Sequence, residues 1–330
     1  MRGFRLQPEG CGIDTVVWCT RSARFPVINN PPYSGPDRRK KPRWRPRPLR
    51  LLLLLLLLSA MGYAAAVMWL IGQEARLVFQ AGSTLATGRP PFPYEQIDVP
   101  RDDGAAQFAW VMPAENPAAP VWVLYLHGNA TSVASQVNIA HYRLLHNAGL
   151  NVLAPEYRGF GGLPGSPTEA SLQSDARAAY DYLRQTRRVP PHAIVLYGWS
   201  LGAAVAVDLA SRLPPAAIIL EGAPASLIDL TGRRYPFFPL RLFMRSSFDS
   251  IRRIGQIPAP VLFLHSTADE VIPVSEGRRL YDAARGAKTF VEVEGGHWSA
   301  IERSTPAFES AIRSFLTTYV PRPAPRGGGM

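Results

Sequence analysis

Residues 193–202 read AIVLYGWSLG, in which a strand-forming apolar run leads directly into the pattern glycine-x-serine-x-glycine at residues 198–202. This pattern is typical of a serine nucleophile carried on a sharp turn between a strand and a helix. Glycine is needed at both outer positions, because a side chain there would collide with the neighbouring strand or with the first helical turn. The small residues at 203–206 allow the helix to lie close against a sheet. The stretch therefore predicts that Ser200 is a catalytic nucleophile.

The rest of the chain favours an α/β fold. Between residues 95 and 320, apolar strand-like runs alternate with amphipathic helical ones, which predicts a mostly parallel sheet with helices on both faces. Residues 97–99 and 107–112 are expected to form an early antiparallel pair. The strands predicted after this pair are residues 121–126, 151–155, 193–197, 217–220, 261–265 and 289–293. One helix is expected to begin at Ser166, which is followed by proline, threonine and glutamate.

Residues 222–256 do not fit this alternation and predict a small cap inserted between two strands. They contain the sequence YPFFPL at 235–240. An aromatic and proline-rich stretch of this kind fits an apolar acyl pocket or ordinary core packing, and the sequence favours neither.

A serine hydroxyl is a poor nucleophile, so it needs a general base that is oriented by a carboxylate. When the serine lies on a strand-to-helix turn, the acid and then the histidine follow it along the chain. His297 is the last histidine and comes just after a predicted strand, behind two glycines that allow the chain to turn. Asp269 lies four residues beyond the strand at 261–265 and is the predicted acid. Glu270 and Asp249 are the alternatives to it.

The reaction also needs donors for the developing oxyanion. The amide of Leu201 lies at the positive end of the predicted helix and is one expected donor. The second is expected from the loop HGNA at 127–130, where Gly128 allows the amide of Asn129 to point into the site. His127 precedes the serine, so it is interpreted as a structural histidine that shapes the loop rather than as the base.

No cofactor or catalytic metal is expected. The loop RGFGGLP at 158–164 has proline where a dinucleotide-binding loop needs its last glycine, and no helix opens there. It better fits a loop beside the active site. The sequence contains neither a His-Glu-x-x-His pair nor a Walker lysine loop, and the other histidines are scattered singly.

The net charge of +11 comes almost entirely from the N-terminal tail. Residues 1–50 contain twelve of the 36 basic and three of the 25 acidic side chains, so the remaining chain is close to neutral and no nucleic-acid partner is expected. Residues 1–50 are interpreted as a disordered basic tail and residues 321–330 as a disordered Pro/Gly tail. Both cysteines lie at positions 11 and 19, so residues 95–320 have no disulfide framework.

Residues 51–71 are uncharged and open with eight leucines, which predicts a transmembrane anchor. As a helix they would span about 31 Å, the thickness of a bilayer core. The preceding basic residues predict a cytoplasmic N-terminus and a hydrolase domain on the outer side, joined by a linker at 72–94. A core helix is a poorer interpretation because the stretch has no polar face. A cleaved signal peptide is a closer alternative, with a small-residue cleavage site at 64–66.

With Ser200, Asp269 and His297 as the predicted nucleophile, acid and base, residues 95–320 resemble the α/β-hydrolase superfamily. Within it the chain is similar to the bud-emergence-type hydrolases with a single anchor, relatives of the membrane-associated protein depalmitoylases. This narrower resemblance lies in residues 76–80, 127–130, 157–161 and 198–202 and in the Asp269 and His297 regions. It implies a Ser-Asp-His acyl hydrolase on an eight-stranded sheet, with Asn129 and Leu201 as oxyanion donors.

The chain departs from that family at two positions near the site. Glu156 stands where the family has aspartate, and Leu163 stands where a serine is frequent. The cysteine-rich targeting segment of the depalmitoylases is replaced here by a predicted transmembrane span. Protein depalmitoylation is therefore not expected of this chain.

The expected function is therefore a membrane-anchored serine hydrolase that cleaves carboxylic esters or thioesters of a small-molecule or lipid-like acyl substrate. The alternatives are a serine peptidase of prolyl-oligopeptidase type and a non-catalytic anchored binding protein. The sequence leaves the oligomeric state open.

Overall fold

Eight strands form one sheet in the part of the chain described by the computed structural model. That part comprises residues 29, 32, 35, 47–80, 85–116, 118–234 and 244–320. The strands are β1 Glu95–Pro100, β2 Ala106–Met112, β3 Trp122–Leu126, β4 Asn151–Pro155, β5 Ile194–Trp199, β6 Ala217–Glu221, β7 Val261–Ser266 and β8 Lys288–Val293. Every predicted strand is present, with bounds that differ by at most two residues.

Ten α-helices lie within the same described residues. They are α1 Pro48–Gly72, α2 Glu74–Phe79, α3 Gln136–Asn147, α4 Glu169–Asp181, α5 Leu201–Arg212, α6 Leu227–Arg234, α7 Ser250–Arg253, α8 Val274–Ala283, α9 Ala300–Arg303 and α10 Thr305–Tyr319. A π-helical turn at Tyr182–Thr186 continues α4, and 3₁₀ turns lie at Pro191–Ala193 and Ile254–Gln256.

The order of the strands creates a crevice at the centre of the sheet. The order is β1-β2-β4-β3-β5-β6-β7-β8; β1, β2 and β4 pair antiparallel and the other pairs are parallel. From β3 the chain crosses through α3 to β4 on one side, whereas from β5 it crosses through α5 to β6 on the other. Ligand sites of open α/β sheets lie at such a switch point, beyond the carboxyl ends of the strands. The loop at 127–130 and Ser200 therefore come together there.

Alternation along the strands divides the core into two layers. Leu196 packs with the side chains of α4, α5 and α8, whereas its neighbour Tyr197 packs with those of α3 and α10. Successive strand residues point to opposite faces, so the continuously apolar strands bury both faces of the sheet. The α/β fold with helices on both faces is thus confirmed.

The start of α4 differs from the prediction. Thr168, rather than Ser166, is the N-cap: its hydroxyl accepts the Ser171 N–H at 3.0 Å, and the Ser171 hydroxyl accepts the Thr168 N–H at 2.7 Å. This reciprocal pair satisfies two backbone donors at the first turn. A proline at position 167 with glutamate at 169 suggested the earlier start, but the helix begins only at Glu169.

Helix α1 has 25 residues, so it extends the predicted 51–71 segment at both ends. By its length and composition it is able to cross a membrane. The chain divides into two compact units, residues 1–58 and residues 59–330, and the boundary between them lies inside this helix. The described part of the first unit is chiefly the leucine-rich start of α1, whose side chains are exposed. The predicted tails (apart from residues 29, 32, 35 and 47–50) and the YPFFPL stretch lie outside the described residues.

Candidate active site

Ser200 occupies the turn between β5 and α5. Its backbone has φ 55° and ψ −118°, a left-handed conformation that is rare for a residue with a side chain. Its N–H donates to the carbonyl of Glu221 on β6 at 2.8 Å, which ties the turn to the neighbouring strand. The sharp turn directs the hydroxyl beyond the carboxyl edge of the sheet.

The glycines on either side of Ser200 are required by packing. A Cβ on Gly202 would lie 2.0 Å from the carbonyl oxygen of Leu126 on β3. A Cβ on Gly198 would lie 2.4 Å from the carbonyl oxygen of Gly202 and 2.5 Å from Cα of Ala203. Gly202 therefore allows the close approach of β3, and Gly198 allows the close approach of the first turn of α5, as the sequence predicted.

The structure brings Ser200, His297 and Asp269 together. His297 Nε2 lies 2.9 Å from Ser200 Oγ, and His297 Nδ1 lies 2.7 Å from Asp269 Oδ2. The three side chains come from the loops after β5, β7 and β8, so they converge from 97 and 28 residues apart in the chain. All three are buried or nearly so. In this geometry the imidazole can accept the serine proton while the carboxylate holds the opposite nitrogen.

Asp269 is held as a carboxylate. Burial raises the pKa of its carboxyl, but the hydrogen bond and charge of His297 and the amides of Ile272 and Val271 outweigh that effect, so the pKa lies below its ordinary value. Those two amides donate to Asp269 Oδ1 at 2.7 and 2.9 Å. One carboxylate oxygen is thus occupied by the backbone, and the other is free to accept from His297.

The two alternative acids have other partners. Glu270 Oε2 accepts the backbone N–H of His297 at 3.0 Å, so it supports the histidine loop rather than the ring. Asp249 stands at the start of α7 and pairs with Arg252 at 2.9 Å.

The loop after β3 lies directly against the serine turn. A Cβ on Gly128 would lie 3.2 Å from Cβ of Ser200 and 2.8 Å from the ring of Trp199, so only glycine lets this loop approach so closely. The amide of Asn129 follows in this loop, and the amide of Leu201 is the first of α5. The first N–H groups of a helix have no partner inside the helix and are available to an anion. Both predicted oxyanion donors therefore belong to backbone adjacent to Ser200.

His127 is buried beneath this loop, where the sequence placed a structural histidine. Its Nδ1 donates to the carbonyl of Gly128 at 2.9 Å, and its Nε2 lies 2.9 Å from Glu156 Oε1. The other oxygen of Glu156 accepts the Val133 N–H at 3.0 Å. The position of Glu156, a polar residue directly after the apolar strand β4, was the signal that could have identified it as the partner of His127.

A second buried carboxylate, Glu221, lies behind the serine turn. It accepts hydrogen bonds from the Tyr197 hydroxyl at 2.6 Å and is 2.7 Å from His141 Nε2. Trp199 packs between this group and the site, with its ring 5.7 Å from that of His141 and 5.6 Å from that of His297. No local pattern in the sequence predicts this network, because its members come from three separate elements.

Helix α2 also contacts the site, although the sequence predicts a linker over residues 72–94. The carbonyl of Val78 accepts the side-chain amide of Asn129 at 2.5 Å. Phe79 is 1% exposed and packs edge-on against Phe248, with the ring centres 6.1 Å apart. The end of α2 is therefore docked on the loop that carries the predicted oxyanion donor.

Among the residues that the structure describes, no group of three or more histidine, cysteine, aspartate or glutamate side chains is arranged to hold a metal ion.

Two family models match the chain. A model described as the alpha/beta hydrolase family matches residues 123–253, and one described as TAP-like protein matches residues 245–324. Among curated proteins, an uncharacterized protein of Mycobacterium tuberculosis is 36% identical over 267 residues, which cover 78% of this chain and 92% of that protein. The lysophosphatidylserine lipase ABHD12 of Danio rerio is 32% identical over 208 residues, covering 57% of this chain and 53% of the lipase.

Solved structures share the fold. The esterase Pf2001 of Pyrococcus furiosus superposes with a TM-score of 0.62 at 19% identity, over 72% of this chain and 96% of the esterase. An α/β serine hydrolase of Xanthomonas campestris, described as having no lid, gives a TM-score of 0.54 at 20% identity, over 72% of this chain and 100% of that chain.

Proposed function

Because the chain belongs to the alpha/beta hydrolase superfamily, we propose that it is a membrane-anchored serine hydrolase that cleaves carboxylic esters or thioesters through an acyl-enzyme intermediate. The observation that carries the proposal is the hydrogen-bonded chain from Ser200 Oγ through the ring of His297 to Asp269, with distances of 2.9 and 2.7 Å. A serine in a strained turn, a base within bonding distance and a carboxylate on the opposite ring nitrogen make up the constellation needed for acyl transfer.

In the first half of the reaction, His297 Nε2 takes the proton of Ser200 as its oxygen attacks the substrate carbonyl. Asp269 stabilises the imidazolium that forms and keeps the ring in the tautomer that accepts at Nε2. The amides of Asn129 and Leu201 donate to the oxyanion of the tetrahedral intermediate. Removing one such donor from a serine hydrolase typically costs about 10²–10³ in turnover, so these amides are a large part of the rate enhancement.

The intermediate then collapses, and His297 gives its proton to the leaving alcohol or thiol. Water enters, loses a proton to the same ring and attacks the acyl-serine ester. The acid is released and Ser200 regains its proton. No group beyond the three side chains and the two amides is needed for these steps.

We further propose that residues 222–256 form a cap beside the site. Its described ends are held by two carboxylates. Glu276 accepts the Ala225 N–H at 3.2 Å and Arg233 Nη2 at 2.5 Å. Glu169 accepts the amides of Ser247 and Phe248 at 2.6 and 3.0 Å.

The test of the nucleophile is Ser200→Ala in the full-length protein. The variant should lose at least about three orders of magnitude in hydrolysis of p-nitrophenyl esters, as removal of a triad serine does elsewhere. It should also lose labelling by a fluorophosphonate probe, while its melting temperature stays close to that of the unchanged protein. Retained hydrolysis in the purified variant would refute the proposal. A wild-type protein that folds but neither reacts with the probe nor hydrolyses esters would indicate a non-catalytic binding protein.

The acid is tested by comparing Asp269→Asn with Glu270→Gln. The first variant should lose about 10⁴ in kcat, because the amide no longer holds the accepting tautomer of His297. The second should stay within about tenfold, because an amide oxygen still accepts the His297 N–H. Equal losses in both variants would contradict the assignment of Asp269.

Substrate class is tested with oxygen esters of increasing acyl length, matching thioesters, and short peptides. We expect the protein to hydrolyse esters or thioesters. Turnover of peptides alone would indicate the peptidase that shares this order of residues.

A further inference from the structure

Few large apolar side chains of the described residues are exposed outside α1. Leu85 is 80% exposed, and Val271 and Trp298 are each 45% exposed. Single exposed apolar residues are ordinary on a soluble protein. These three differ because all of them lie at the carboxyl edge of the sheet, around the candidate active site.

Trp298 and Val271 flank the histidine and the acid. Trp298 directly follows His297, and its ring packs edge-on against Trp199 with the centres 5.3 Å apart. Val271 follows Asp269 by two positions, and its amide donates to that carboxylate at 2.9 Å. Both side chains therefore stand at the mouth of the site, on the side of β7 and β8.

Leu85 lies on another part of the same edge. Its Cδ2 is 3.4 Å from the place where a Cβ would stand on Gly162. Gly162 belongs to the loop that follows β4, beside Gly161, which packs against Glu156. Since Glu156 binds His127 under the oxyanion loop, Leu85 stands on the side of the site formed by β3 and β4.

The chain keeps this edge close to the end of α1. Helix α1 ends at Gly72, and the carbonyl of Val78 is bonded to the Asn129 side chain at the site. These two residues are six positions apart. Six residues span about 9 Å as a helix and at most about 21 Å when extended. The membrane-side end of α1 is therefore within that distance of Val78, whose carbonyl is bonded to the Asn129 side chain.

We propose that Leu85, Val271 and Trp298 form an apolar rim that docks on the lipid bilayer surface and opens the active site toward acyl chains in the membrane. The proposal rests on the membrane anchor of the proposed function. Leucine and tryptophan are side chains that membrane-surface proteins bury at the boundary between headgroups and acyl chains, with tryptophan especially enriched there, and valine adds apolar surface beside them. A bilayer is the occupant favoured over a protein partner, because the six-residue tether brings the membrane to this edge.

Environment-sensitive labels test the rim. In a Cys11→Ser, Cys19→Ser background, which removes both native cysteines, single cysteines replace Leu85 or Val271 and carry a nitrobenzoxadiazole fluorophore. The control is His192→Cys, because His192 is exposed in the turn before β5, at the opposite edge of the sheet. Each full-length protein is reconstituted into phosphatidylcholine vesicles with and without doxyl-labelled phosphatidylcholine, and flotation confirms membrane association.

The expected result is blue-shifted emission and quenching by the doxyl lipid at positions 85 and 271, with neither effect at position 192. Floating protein whose rim labels stay in water would overturn the rim while leaving the anchor standing. Blue-shifted labels that doxyl lipid does not quench would overturn it in favour of a protein partner or a second copy of the chain. Protein that fails to float would overturn the anchor, and the rim with it. None of these readouts depends on whether Ser200 is the nucleophile.

A kinetic measurement adds an independent readout. Leu85→Asp places a charge on the rim. The protein itself does not bury this side chain, so the fold should tolerate the change. His192→Asp is the matched control. Hydrolysis of a long-chain ester carried in vesicles should fall at least about tenfold in Leu85→Asp, the loss expected when one aliphatic side chain no longer enters the membrane. Hydrolysis of a short, water-soluble ester should be unchanged in both variants. Equal rates on the vesicle ester would overturn the proposal.

Discussion

At the scale of single residues, the buried histidines of this protein serve different purposes according to their partners. His297 is placed between a hydroxyl and a carboxylate, whereas His127 joins the Gly128 carbonyl to Glu156. His265, at the end of β7, donates from Nε2 to the carbonyl of Ile272 at 2.9 Å and is almost wholly buried. Residue type alone does not separate these roles; the atoms opposite each ring nitrogen do.

His265 predicts a pH-dependent stability. Burial lowers its pKa, against the opposing effects of the Ile272 carbonyl and the Asp269 charge. Below its ordinary pKa of about 6.5, the unfolded chain binds a proton that the folded chain excludes, so stability falls as the pH is lowered. His265→Gln keeps a donor for Ile272 but does not titrate. On acidification, the unfolding free energy of this variant should fall less than that of the unchanged protein. The difference is up to about 1.4 kcal/mol per pH unit between the folded and the unfolded pKa of His265.

The measurement is thermal unfolding of both proteins in detergent at several pH values from 7.5 to 5. The two stability curves should converge as the pH is lowered from about 6.5, because only the unchanged protein loses the contribution of His265. Curves that stay parallel over this range would contradict the prediction.

At the scale of elements, the turn between β5 and α5 depends on close packing against the neighbouring strand β3. The carbonyl of Leu126 approaches Cα of Gly202 so closely that β3, β5 and α5 meet with no room for a side chain. That contact limits the distance between the loop at 127–130 and the serine turn, and so couples the geometry of the candidate site to the packing of the sheet.

Gly202→Ala tests this coupling. Its methyl group would lie 2.0 Å from the Leu126 oxygen, so the backbone must shift. The variant should lose about 1–3 kcal/mol of unfolding free energy and most of the ester hydrolysis that we propose for the protein. The control is Gly232→Ala in α6, where none of the residues that the structure describes comes within 4 Å of the added methyl and alanine should stabilise the helix by up to about 1 kcal/mol. Urea or thermal unfolding and ester hydrolysis measure both effects; a Gly202→Ala protein with unchanged stability and rate would contradict the argument.

Element boundaries show where local patterns are insufficient. Strand positions followed from apolar runs, because a strand buried on both faces must be apolar throughout. The start of α4 did not, since Ser166 and Thr168 are both good N-caps and only the reciprocal bond with Ser171 selects Thr168.

At the scale of the whole molecule, the positive charge is concentrated in the segment before α1. Eight basic residues lie between positions 38 and 50, whereas the chain after residue 50 is nearly neutral. Basic residues beside a span stay in the cytoplasm, so the domain after α1 is expected on the outer side.

This orientation has a direct test. The protein should stay in membranes washed with alkaline carbonate, and protease added outside intact cells should remove a C-terminal tag. Replacing the basic residues between positions 38 and 50 by glutamate should reduce or reverse the tag's accessibility, because the charge bias would be lost. A control substitution of Arg313 and Arg303, far beyond the span, should change nothing. A tag protected in intact cells but cut after lysis would contradict the proposed orientation.

The sequence by itself determined the sheet, the serine turn and the long apolar helix, since each depends on a local pattern of side chains along the chain. It also singled out Ser200, Asp269 and His297, because residues that closely follow parallel strands must meet at the carboxyl edge of the sheet. Only the tertiary structure decided which carboxylates serve which histidines and that α2 docks on Asn129. Those pairings join residues that are distant in sequence, and their choice depends on burial and on atom-to-atom distance, which no stretch of sequence encodes on its own.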